Sequence, residues 1–231
     1  MDSIGDRYHE YTKIRRGARG AHKLEVSKGR GVFRLPEPVT EGGMGLWECI
    51  ARRRSFREYS PIPLSLSELS QLLWATQGIT EPYFRLRAAP SAGALYPLET
   101  YVVVNLAEGL ERGVYRYLVE EHALEMRLKG DLRQSIASAA LEQEFLADAG
   151  AVFIWTAVPE RTKSRYGERG WRYIYKDAAH ACANLYLAAV ALGLGCCAIG
   201  ACFDDEVNWL LGIDGVRETV VYLASVGRRL R

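Results

Sequence analysis

The strongest constraint on the fold is an uncharged stretch, residues 185–203, with the sequence LYLAAVALGLGCCAIGACF. Its first half is rich in alanine and leucine, as in a helix, and its second half has a strand-like composition. Glycines at positions 193, 195 and 200 interrupt the stretch, which makes it a poor membrane span. We therefore predict that a long helix from about Gly170 to Gly193 and a strand at CCAIGAC are buried together in the core.

The rest of the chain alternates between helical and strand-like segments. Helical spacing of apolar residues predicts a helix over 44–54, and Ser65 with Glu68 forms an S-x-x-E capping box for a helix that ends at Gly78. Asp131 is expected to cap a helix through Leu146, and Asp204 to cap a shorter one. Apolar or alternating runs predict strands at ETYVVV, GVYRYLV, ALEMRL, GAVFIWTAV and ETVVYLASV, the second and third forming a hairpin. Long helices beside one sheet indicate the α+β class.

Charge and cysteine content limit the class of protein. The formal charge is only +2, although residues 13–31 carry seven basic residues against Glu25 alone. Because that segment lacks stacking aromatic side chains, we favour a solvated, mobile arm over RNA or partner binding, and nucleic acid is not expected as a partner. The five cysteines have no metal-ligand or CxxC spacing, and no signal peptide is evident, which predicts buried free thiols in a cytoplasmic protein without a membrane span. We divide the chain into an N-terminal arm, residues 1–42, and one domain, residues 43–231.

Four arginines surround one serine at the end of the predicted 44–54 helix. Arg52, Arg53, Arg54 and Arg57 flank Ser55 in the sequence RRRSFR. Like charges this close repel one another, so they persist most easily where an anion lies among them. Guanidinium groups bind phosphate in bidentate geometry, and the sequence therefore predicts a phosphate site here.

Two other patterns suggest chemistry but are better explained by structure. Residues 193–198, GLGCCA, have the G-x-G-x-x-A form of a dinucleotide-binding loop, but such a loop leads from a strand into a helix, and here the order is reversed. Asp177, His180 and Asn184 share one face of the long helix, which suggests a metal site or a proton relay. We favour a polar stripe satisfied by hydrogen bonds inside the fold or across an interface, and expect no metal.

The order of motifs along the chain resembles the nitroreductase superfamily. The motifs are YHEYTK, RRRSFREYS, LSELSQLLWATQG, APSAGALYPLETYVV, YGERGWRYIYKDAAHACANLYLAAVALGLG and AIGACFDDEVNWLLGI. The chain looks most like the SagB-type dehydrogenases, FMN-dependent oxidases associated with thiazole and oxazole peptides. The resemblance implies an α+β sandwich, in which long helices flank a central, mainly antiparallel sheet, and a homodimer that holds FMN between its subunits.

The resemblance assigns the arginine-flanked serine to the flavin. Arg53, Ser55 and Arg57 match an R-x-S-x-R/K motif that contacts the phosphate, the ribityl chain and the ring of FMN. A cation near the ring would stabilise the reduced, anionic flavin. Arg228 and Arg229 match the position from which the family reaches back to the phosphate, although an exposed basic C-terminus would explain them equally well.

Two further segments are implied to lie against the flavin. One is a loop supplied by the second subunit, with the residues Pro90, Ser91, Ala92 and Gly93. Small residues in that loop let the backbone lie close to a flat ring, and the alternative is an ordinary turn before a strand. The other segment is a strand end at which a backbone N–H would meet the flavin N5, with the residues Ile199, Gly200 and Ala201.

The sequence departs from the family pattern at two places. Ala94 and Tyr96 stand where many nitroreductases have Asn and Gln, a change that fits the SagB-type branch. Arg165 and Tyr166 stand where SagB-type oxidases have a Lys-Tyr pair whose Lys is proposed as a base, and we expect both to be catalytic. Arginine remains protonated at physiological pH, so Arg165 can orient an anion or a carbonyl but is a poor base. Tyr166 is available as a hydrogen-bond donor.

Three functions are compatible with these residues. The first is an oxidoreductase in which NAD(P)H reduces FMN by hydride transfer at N5 and the flavin then reduces a nitro- or quinone-type acceptor, in ping-pong order. The second is a SagB-type dehydrogenase that oxidises a peptide-derived azoline and works with a partner cyclodehydratase. The third is a non-catalytic flavin- or partner-binding protein. The sequence favours the first, with a small-molecule or peptide-derived substrate.

Overall fold

The computed structural model describes residues 3–16 and 26–230, in which eight α-helices form. Two 3-10 turns, at Ala92–Ala94 and Gly167–Arg169, lie between them. The helices are α1 Ile4–Thr12, α2 Leu46–Arg52, α3 Leu66–Gln77, α4 Arg133–Ala139, α5 Phe145–Asp148, α6 Pro159–Tyr166, α7 Gly170–Ala191 and α8 Asp204–Leu211.

The described residues also form ten strands. These are β1 Ser27–Lys28, β2 Val32–Arg34, β3 Ile79–Glu81, β4 Leu86–Arg87, β5 Leu98–Val104, β6 Gly113–Leu118, β7 Ala123–Lys129, β8 Ala151–Ala157, β9 Leu194–Ile199 and β10 Thr219–Arg228. Eight of them form one sheet in the order β1-β7-β6-β5-β8-β10-β9, with β2 also paired to β7, and β3 with β4 forms a separate hairpin. The strand pairs are antiparallel. The mainly antiparallel sheet is therefore confirmed.

Helices cover both faces of the sheet. Along β5, Val102 and Val104 contact a core shared with α3 and α7, whereas Tyr101 and Val103 contact a second core shared with α4, α5 and α8. Successive side chains of a strand point to opposite faces, so each strand serves both cores. Because both faces are dry, the central strands are continuous apolar runs rather than alternating ones. The predicted α+β sandwich is confirmed.

The uncharged stretch occupies the centre of this sandwich. Leu185, Ala189 and Leu194 are completely buried, and β9 pairs along its length with β10. The chain passes from α7 into β9, so GLGCCA connects a helix to a strand and lacks the geometry of a dinucleotide-binding loop. No helix in residues 3–16 or 26–230 is long and apolar enough to cross a membrane.

The capping box and the hairpin are also confirmed. Ser65 Oγ accepts the Glu68 N–H at 3.2 Å, and Glu68 Oε2 accepts the Ser65 N–H at 2.9 Å. Strand β6 pairs with β7 from Leu118 opposite Ala123, around a turn at residues 119–122. Both features are local in sequence, which is why the pattern alone specifies them.

The predicted helix over 131–146 is wrong in its continuity. It is broken into α4 and α5, because Leu141 and Glu142 adopt positive φ angles of 59° and 57°. The carbonyl of Ala139 accepts the N–H of Phe203 at 2.7 Å, a contact distant in sequence. Asp131 accepts the Arg133 N–H, but the N-cap residue is Leu132.

Asp204 is the first residue of α8 and does not cap it. The N-cap residue is Phe203, which makes no side-chain cap. The carboxylate of Asp204 accepts the N–H of Ile14 at 3.2 Å instead. The Asp204 carboxylate thus binds the segment that follows α1, and this long-range contact cannot be predicted from the local sequence.

Much of the predicted N-terminal arm lies on the core. His9 of α1 stacks on Trp171 with ring centres 4.4 Å apart, and Asp6 binds Lys163 Nζ at 2.7 Å. Strands β1 and β2 pair with β7. The solvated arm was predicted for residues 13–31. Within them, Lys13 pairs with Asp205 at 3.0 Å, Arg16 pairs with Glu206 at 2.7 Å, and β1 pairs with β7, so the prediction is wrong for these residues, which ion pairs and strand pairing hold on the domain. Residues 17–25 lie outside the described residues, and the boundary at residue 43 stays a prediction.

The five cysteines are free and buried, as predicted. Four of them, Cys182, Cys196, Cys197 and Cys202, have thiol pKa values raised by burial, to about 12 at Cys182 and Cys202. Such thiols are protonated and unreactive at neutral pH.

Burial of His9 predicts a pH-dependent stability. Burial lowers its pKa to about 4 from 6.5, so the unfolded chain binds a proton at a higher pH than the folded one. Stability should therefore be complete above pH 6.5 and decline as the pH falls toward 4, by about 3 kcal/mol at most. Denaturant titrations across this range should show that decline, and the His9→Gln variant should show a shallower one.

The exposed histidine of α7 supplies the control for that experiment. His180→Gln should leave the decline between pH 6.5 and 4 as it is in the unmodified protein. Part of the decline should survive in His9→Gln, since burial also lowers the pKa of His122. An identical pH dependence in His9→Gln and the unmodified protein would contradict the prediction.

Candidate functional site

A short segment after α2, residues 53–60, lies along β9 and the end of β10. The N–H of Phe56 donates to the Cys196 carbonyl, and the N–H of Ser60 donates to the Arg228 carbonyl, both at 2.9 Å. The Phe56 ring lies on Gly195, where a β-carbon would come within 2.7 Å of it. The sheet therefore holds the backbone around Ser55 rigidly.

Besides Arg54, which donates to the carbonyls of Ala51 and Arg53, three arginines lie around this segment without a carboxylate partner among the described residues. By contrast, the neighbouring Arg52 pairs with Glu48 at 2.6 Å. Each of the three has its guanidinium carbon 5.1–5.9 Å from the centre of an aromatic ring: Arg53 over Tyr186, Arg57 over Phe145 and Arg229 over Phe56. Positive charges beside one short segment without counterions favour an anion at this place.

Arg228 does not join this group. Its Nη2 lies 2.8 Å from Oε1 and 2.9 Å from Oε2 of Glu68, the capping-box residue of α3. Adjacent residues at a strand end point to opposite sides, so Arg229 lies beside Phe56 while Arg228 faces α3. Of the two candidate C-terminal arginines, the structure brings only Arg229 to the site.

The hydroxyl of Tyr186 positions Ser55. Tyr186 Oη accepts the N–H of Ala198 at 2.7 Å and lies 2.9 Å from Ser55 Oγ. Since that oxygen already accepts from the backbone, its own hydrogen can donate to Ser55 Oγ. The hydroxyl hydrogen of Ser55, an exposed residue, is then left for a ligand. Burial raises the pKa of Tyr186, which keeps it a neutral donor.

The end of β9 approaches the same site. Ile199 is buried, whereas the next two residues, Gly200 and Ala201, are exposed. Gln143 Nε2 donates to the Ala201 carbonyl at 3.4 Å. Gln143 is two residues before Phe145, the residue whose ring lies under Arg57. We call the group formed by Arg53, Ser55, Arg57, Tyr186, Arg229 and residues 199–201 the basic cluster.

A buried carboxylate holds the second candidate segment, the loop at residues 90–96. Asp177 of α7 accepts the Ser91 hydroxyl at 2.6 Å and the Ala92 N–H at 3.3 Å. Asp177 is only 4% exposed, and burial raises its pKa despite these hydrogen bonds. Pro90 is exposed at the start of the loop. The loop is therefore shaped by a contact with the long helix, beyond what an ordinary turn requires.

The backbone of this loop adopts positive φ angles at three positions. They are 65° at Gly93, 53° at Ala94 and 45° at Tyr96. Residues other than glycine rarely adopt this region, and such strain often accompanies a functional role.

Arg165 and Tyr166, at the end of α6, lie directly over Gly93. A β-carbon at Gly93 would be 2.7 Å from Tyr166 Oη and 3.1 Å from Arg165 Nη1. Arg165 is exposed, and Tyr166 is half-buried with its ring centre 4.8 Å from that of Tyr173. The structure thus joins these two candidate residues to the loop at residues 90–96, and we call the group of this loop, Arg165 and Tyr166 the loop cluster.

The favoured explanation of the polar stripe of α7, hydrogen bonds inside the fold, is confirmed for Asp177 and Asn184. Asn184 Nδ2 donates to the carbonyls of Ala75 and Ala88, at 2.9 and 3.2 Å. Asp177 serves the loop, and His180 is exposed. No group of His, Cys, Asp and Glu within residues 3–16 and 26–230 is arranged to hold a metal ion.

Helix α7 carries both clusters but separates them. Asp177 holds the loop cluster and Tyr186 orients the basic cluster, nine residues further along. At 1.5 Å per residue this is about 13 Å along the helix axis. Sequence reasoning missed the role of Tyr186, although a tyrosine among alanines and leucines was a signal of it.

The chain is similar in sequence and in fold to known proteins. The model of the Nitroreductase family matches residues 50–228. A protein of Methanocaldococcus jannaschii, provisionally named a nitroreductase, is 42% identical over 185 residues, which are 80% of this chain and 91% of its own length. A crystal structure of a protein from Anabaena variabilis, likewise provisionally named, is 30% identical with a TM-score of 0.77; the match covers 97% of this chain and 47% of that one.

A chain of the E. coli microcin synthetase McbBCD complex, solved with truncated pro-MccB17 bound, has the same fold. Its TM-score is 0.75 at 20% identity, and the match covers 99% of this chain and 92% of that one.

The close approach at Gly93 can be tested with a matched pair of glycines. Gly93 and Gly109 have φ angles of 65° and 72°, but nothing lies within 4 Å of a β-carbon at Gly109. Alanine at either position should cost about 1–2 kcal/mol of unfolding free energy because of the φ angle. Only Gly93→Ala should also displace Tyr166, which crystal structures of the two variants or tyrosine-ring NMR signals would detect. Displacement of Tyr166 in both variants, or in neither, would contradict this assignment.

Proposed function

The chain belongs to the nitroreductase family, and from that membership and the two clusters we propose that it is an FMN-dependent oxidoreductase acting as a homodimer. The observation that carries the proposal is the basic cluster, in which three arginines without carboxylate partners in the described chain lie beside the segment of the exposed Ser55. A chain keeps such charges together at a cost in free energy, and an anionic ligand offsets that cost.

The donors of the basic cluster suit the phosphate end of FMN. Arg53 and Arg57 lie two residues before and two residues after Ser55, and Arg229, the residue that follows β10, adds a third guanidinium group. Guanidinium groups bind phosphate oxygens in bidentate geometry, and a hydroxyl hydrogen completes the set. Exposed small residues at the end of β9, Gly200 and Ala201, leave room for a flat ring to approach the backbone.

We propose that the loop cluster meets the flavin bound to the basic cluster of a second copy. The separation of about 13 Å along α7 supports this, because one chain does not bring its own two clusters together. An apolar surface is available for a second copy: Leu46, Trp47 and Ile50 of α2, which lies against α7, are 57%, 81% and 49% exposed. Exposed apolar groups of this kind mark association surfaces.

The loop cluster supplies the groups on the substrate side. Bound FMN supplies the redox chemistry, by accepting a hydride at N5 and passing it to a second substrate. Because Gly93 has no side chain, Tyr166 and Arg165 lie close to the loop backbone. Tyr166 Oη is available to donate to a substrate oxygen. Arg165 orients an anion or a carbonyl and remains charged while doing so. An NAD(P)H-linked reduction of a nitro- or quinone-type acceptor needs no protein base and fits this set best.

The alternative is oxidation of a peptide-derived azoline. Ala94 and Tyr96, in place of the Asn and Gln of many nitroreductases, favour it, since this change fits the SagB-type branch. Arg165 disfavours it, because proton removal from an azoline needs a base and arginine is a poor one. We therefore rank it second.

Anaerobic absorbance spectroscopy near 450 nm tests the proposal. Protein incubated with FMN should retain a flavin band, and this band should bleach on addition of NADH or NADPH. A band that persists with both donors would favour the azoline dehydrogenase or a non-catalytic flavin protein. Protein without a band, after incubation with FMN, would refute the whole proposal.

Arg53→Ala should weaken FMN binding about tenfold or more, because a hydrogen bond to a charged group contributes about 1.5–3 kcal/mol. Fluorescence quenching of FMN on titration with protein measures the dissociation constant. Arg52→Ala is the matched control, since Arg52 is already paired with Glu48 and should leave the constant nearly unchanged. Equal constants for Arg53→Ala and Arg52→Ala would remove Arg53 from the site.

A further inference from the structure

A third group of arginines lines a separate cavity beside the loop cluster. The cavity has a volume of about 370 Å³, within the range of small-molecule sites. It lies between β4, the 90–96 loop, the β6–β7 hairpin and α6. Its charged lining residues are Arg87, Glu99, Arg116, Glu120, Glu121 and Arg161.

One carboxylate inside the cavity is shared by two arginines. Arg116 Nη2 lies 2.9 Å from Glu99 Oε2, and Arg161 Nη2 lies 2.6 Å from Glu99 Oε1. The Glu99 side chain is only 12% exposed. Both of its oxygens are thus occupied, and two positive charges share one negative charge.

Arg87 has only neutral hydrogen-bond partners in the described part of the chain. Its guanidinium donates to Gln77 Oε1 at 3.0 Å and lies 4.7 Å from the centre of the Tyr96 ring. Burial lowers the pKa of Arg87; the nearby Glu99 carboxylate opposes this shift, and Arg161 acts in the same direction as burial. Only one of its five N–H donors is used by Gln77, so the others are available to a ligand.

The remaining carboxylates lie on the rim. Glu120 pairs with Arg85, which lies outside the cavity lining, and Glu121 is exposed. Counting Arg85 with its partner Glu120, four arginines and three carboxylates lie at or beside the cavity. This excess of one positive charge, together with the lack of a carboxylate partner for Arg87 in the described chain, favours a bound oxyanion.

We propose that this cavity binds the phosphate or carboxylate group of a substrate. Arg87 is the main ligand, and Arg161 and Arg116 contribute the surrounding positive charge. Arg161 also donates to the Tyr96 carbonyl at 3.1 Å and lies one helical turn before Arg165 on α6. A substrate anchored by its oxyanion at Arg87 would extend along this track toward Gly93. The anion site itself needs no flavin, and only the assignment of the anion to a substrate rests on the proposed function.

Isothermal titration with inorganic phosphate, and separately with acetate, at constant ionic strength tests the inference. Excess FMN is present throughout, so that the basic cluster is occupied if it is the flavin site. Arg87→Gln should lower the association constant about tenfold or more, as expected for a lost charged hydrogen bond. Arg85 is two residues away and pairs with Glu120, so Arg85→Gln should change the association constant less than about twofold.

Glu99→Gln gives an effect of opposite sign. Removal of the engaged carboxylate leaves all three arginines to the ligand, so phosphate should bind more tightly than to the unmodified protein. A purely structural role for Glu99 would not tighten anion binding. Circular dichroism verifies that each variant is folded, and Arg87→Gln with Arg85→Gln decides the matter if Glu99→Gln does not fold.

The outcomes separate the possible sources and the two proposals. Tighter binding of phosphate than of acetate assigns a phosphorylated substrate, and the reverse order assigns a carboxylate. Absence of binding to the unmodified protein, or equal losses in Arg87→Gln and Arg85→Gln, overturns the inference. If FMN fails to bind while the phosphate titrations give the expected pattern, the proposed function fails and the anion site stands.

Discussion

The burial of α7 against α3 and the sheet is the constraint on which the rest of the structure depends. Its apolar face joins the core, and Asn184 ties it to α3 and to the segment before Pro90 by donating to the Ala75 and Ala88 carbonyls. Trp171, near its start, receives the His9 ring of α1. Because the helix cannot shift without opening the core, the two polar groups that it carries, Asp177 and Tyr186, are held at a constant separation. Each determines the shape of one cluster.

Both clusters contain features that are unfavourable for folding alone. The basic cluster keeps three arginines without carboxylate partners in the described chain, and the loop cluster keeps positive φ angles at Ala94 and Tyr96. Strain and unpaired charge persist where the surrounding structure imposes them. In the basic cluster, the sheet holds the arginine segment in place through the Phe56–Cys196 hydrogen bond. In the loop cluster, Asp177 holds the strained loop through its hydrogen bond with Ser91. The cost is consistent with sites that a ligand completes.

The loop at 90–96 also connects the clusters to the arginine-lined cavity. Gly93 meets Tyr166 at one end, and Tyr96 stacks under Arg87 at the other. Along α6, Arg161 and Arg165 follow the same direction, one helical turn apart. A substrate bound in the cavity and extending to Gly93 would therefore pass Arg161 and Arg165 in turn. The proposed anion site would hold an acidic substrate more tightly than a neutral one.

Most of the fold was predictable because its signals are local. The capping box at Ser65 and Glu68, the hairpin of β6 and β7 and the change from helix to strand near Gly193 each involve residues close in sequence. The predicted helix through Leu146 failed, since two positive φ angles and a bond from Phe203 interrupt it.

For the site, the sequence by itself determined the residue types and their order: arginines around Ser55, small residues at 90–93, and arginine in place of lysine at 165. Only the tertiary structure decided which of them meet. In the folded chain, Tyr166 lies over Gly93, the Tyr186 hydroxyl contacts the Ser55 hydroxyl, and Arg228 pairs with Glu68. The physical reason is that these contacts join residues dozens of positions apart, and their partners are set by how α7 packs in the core.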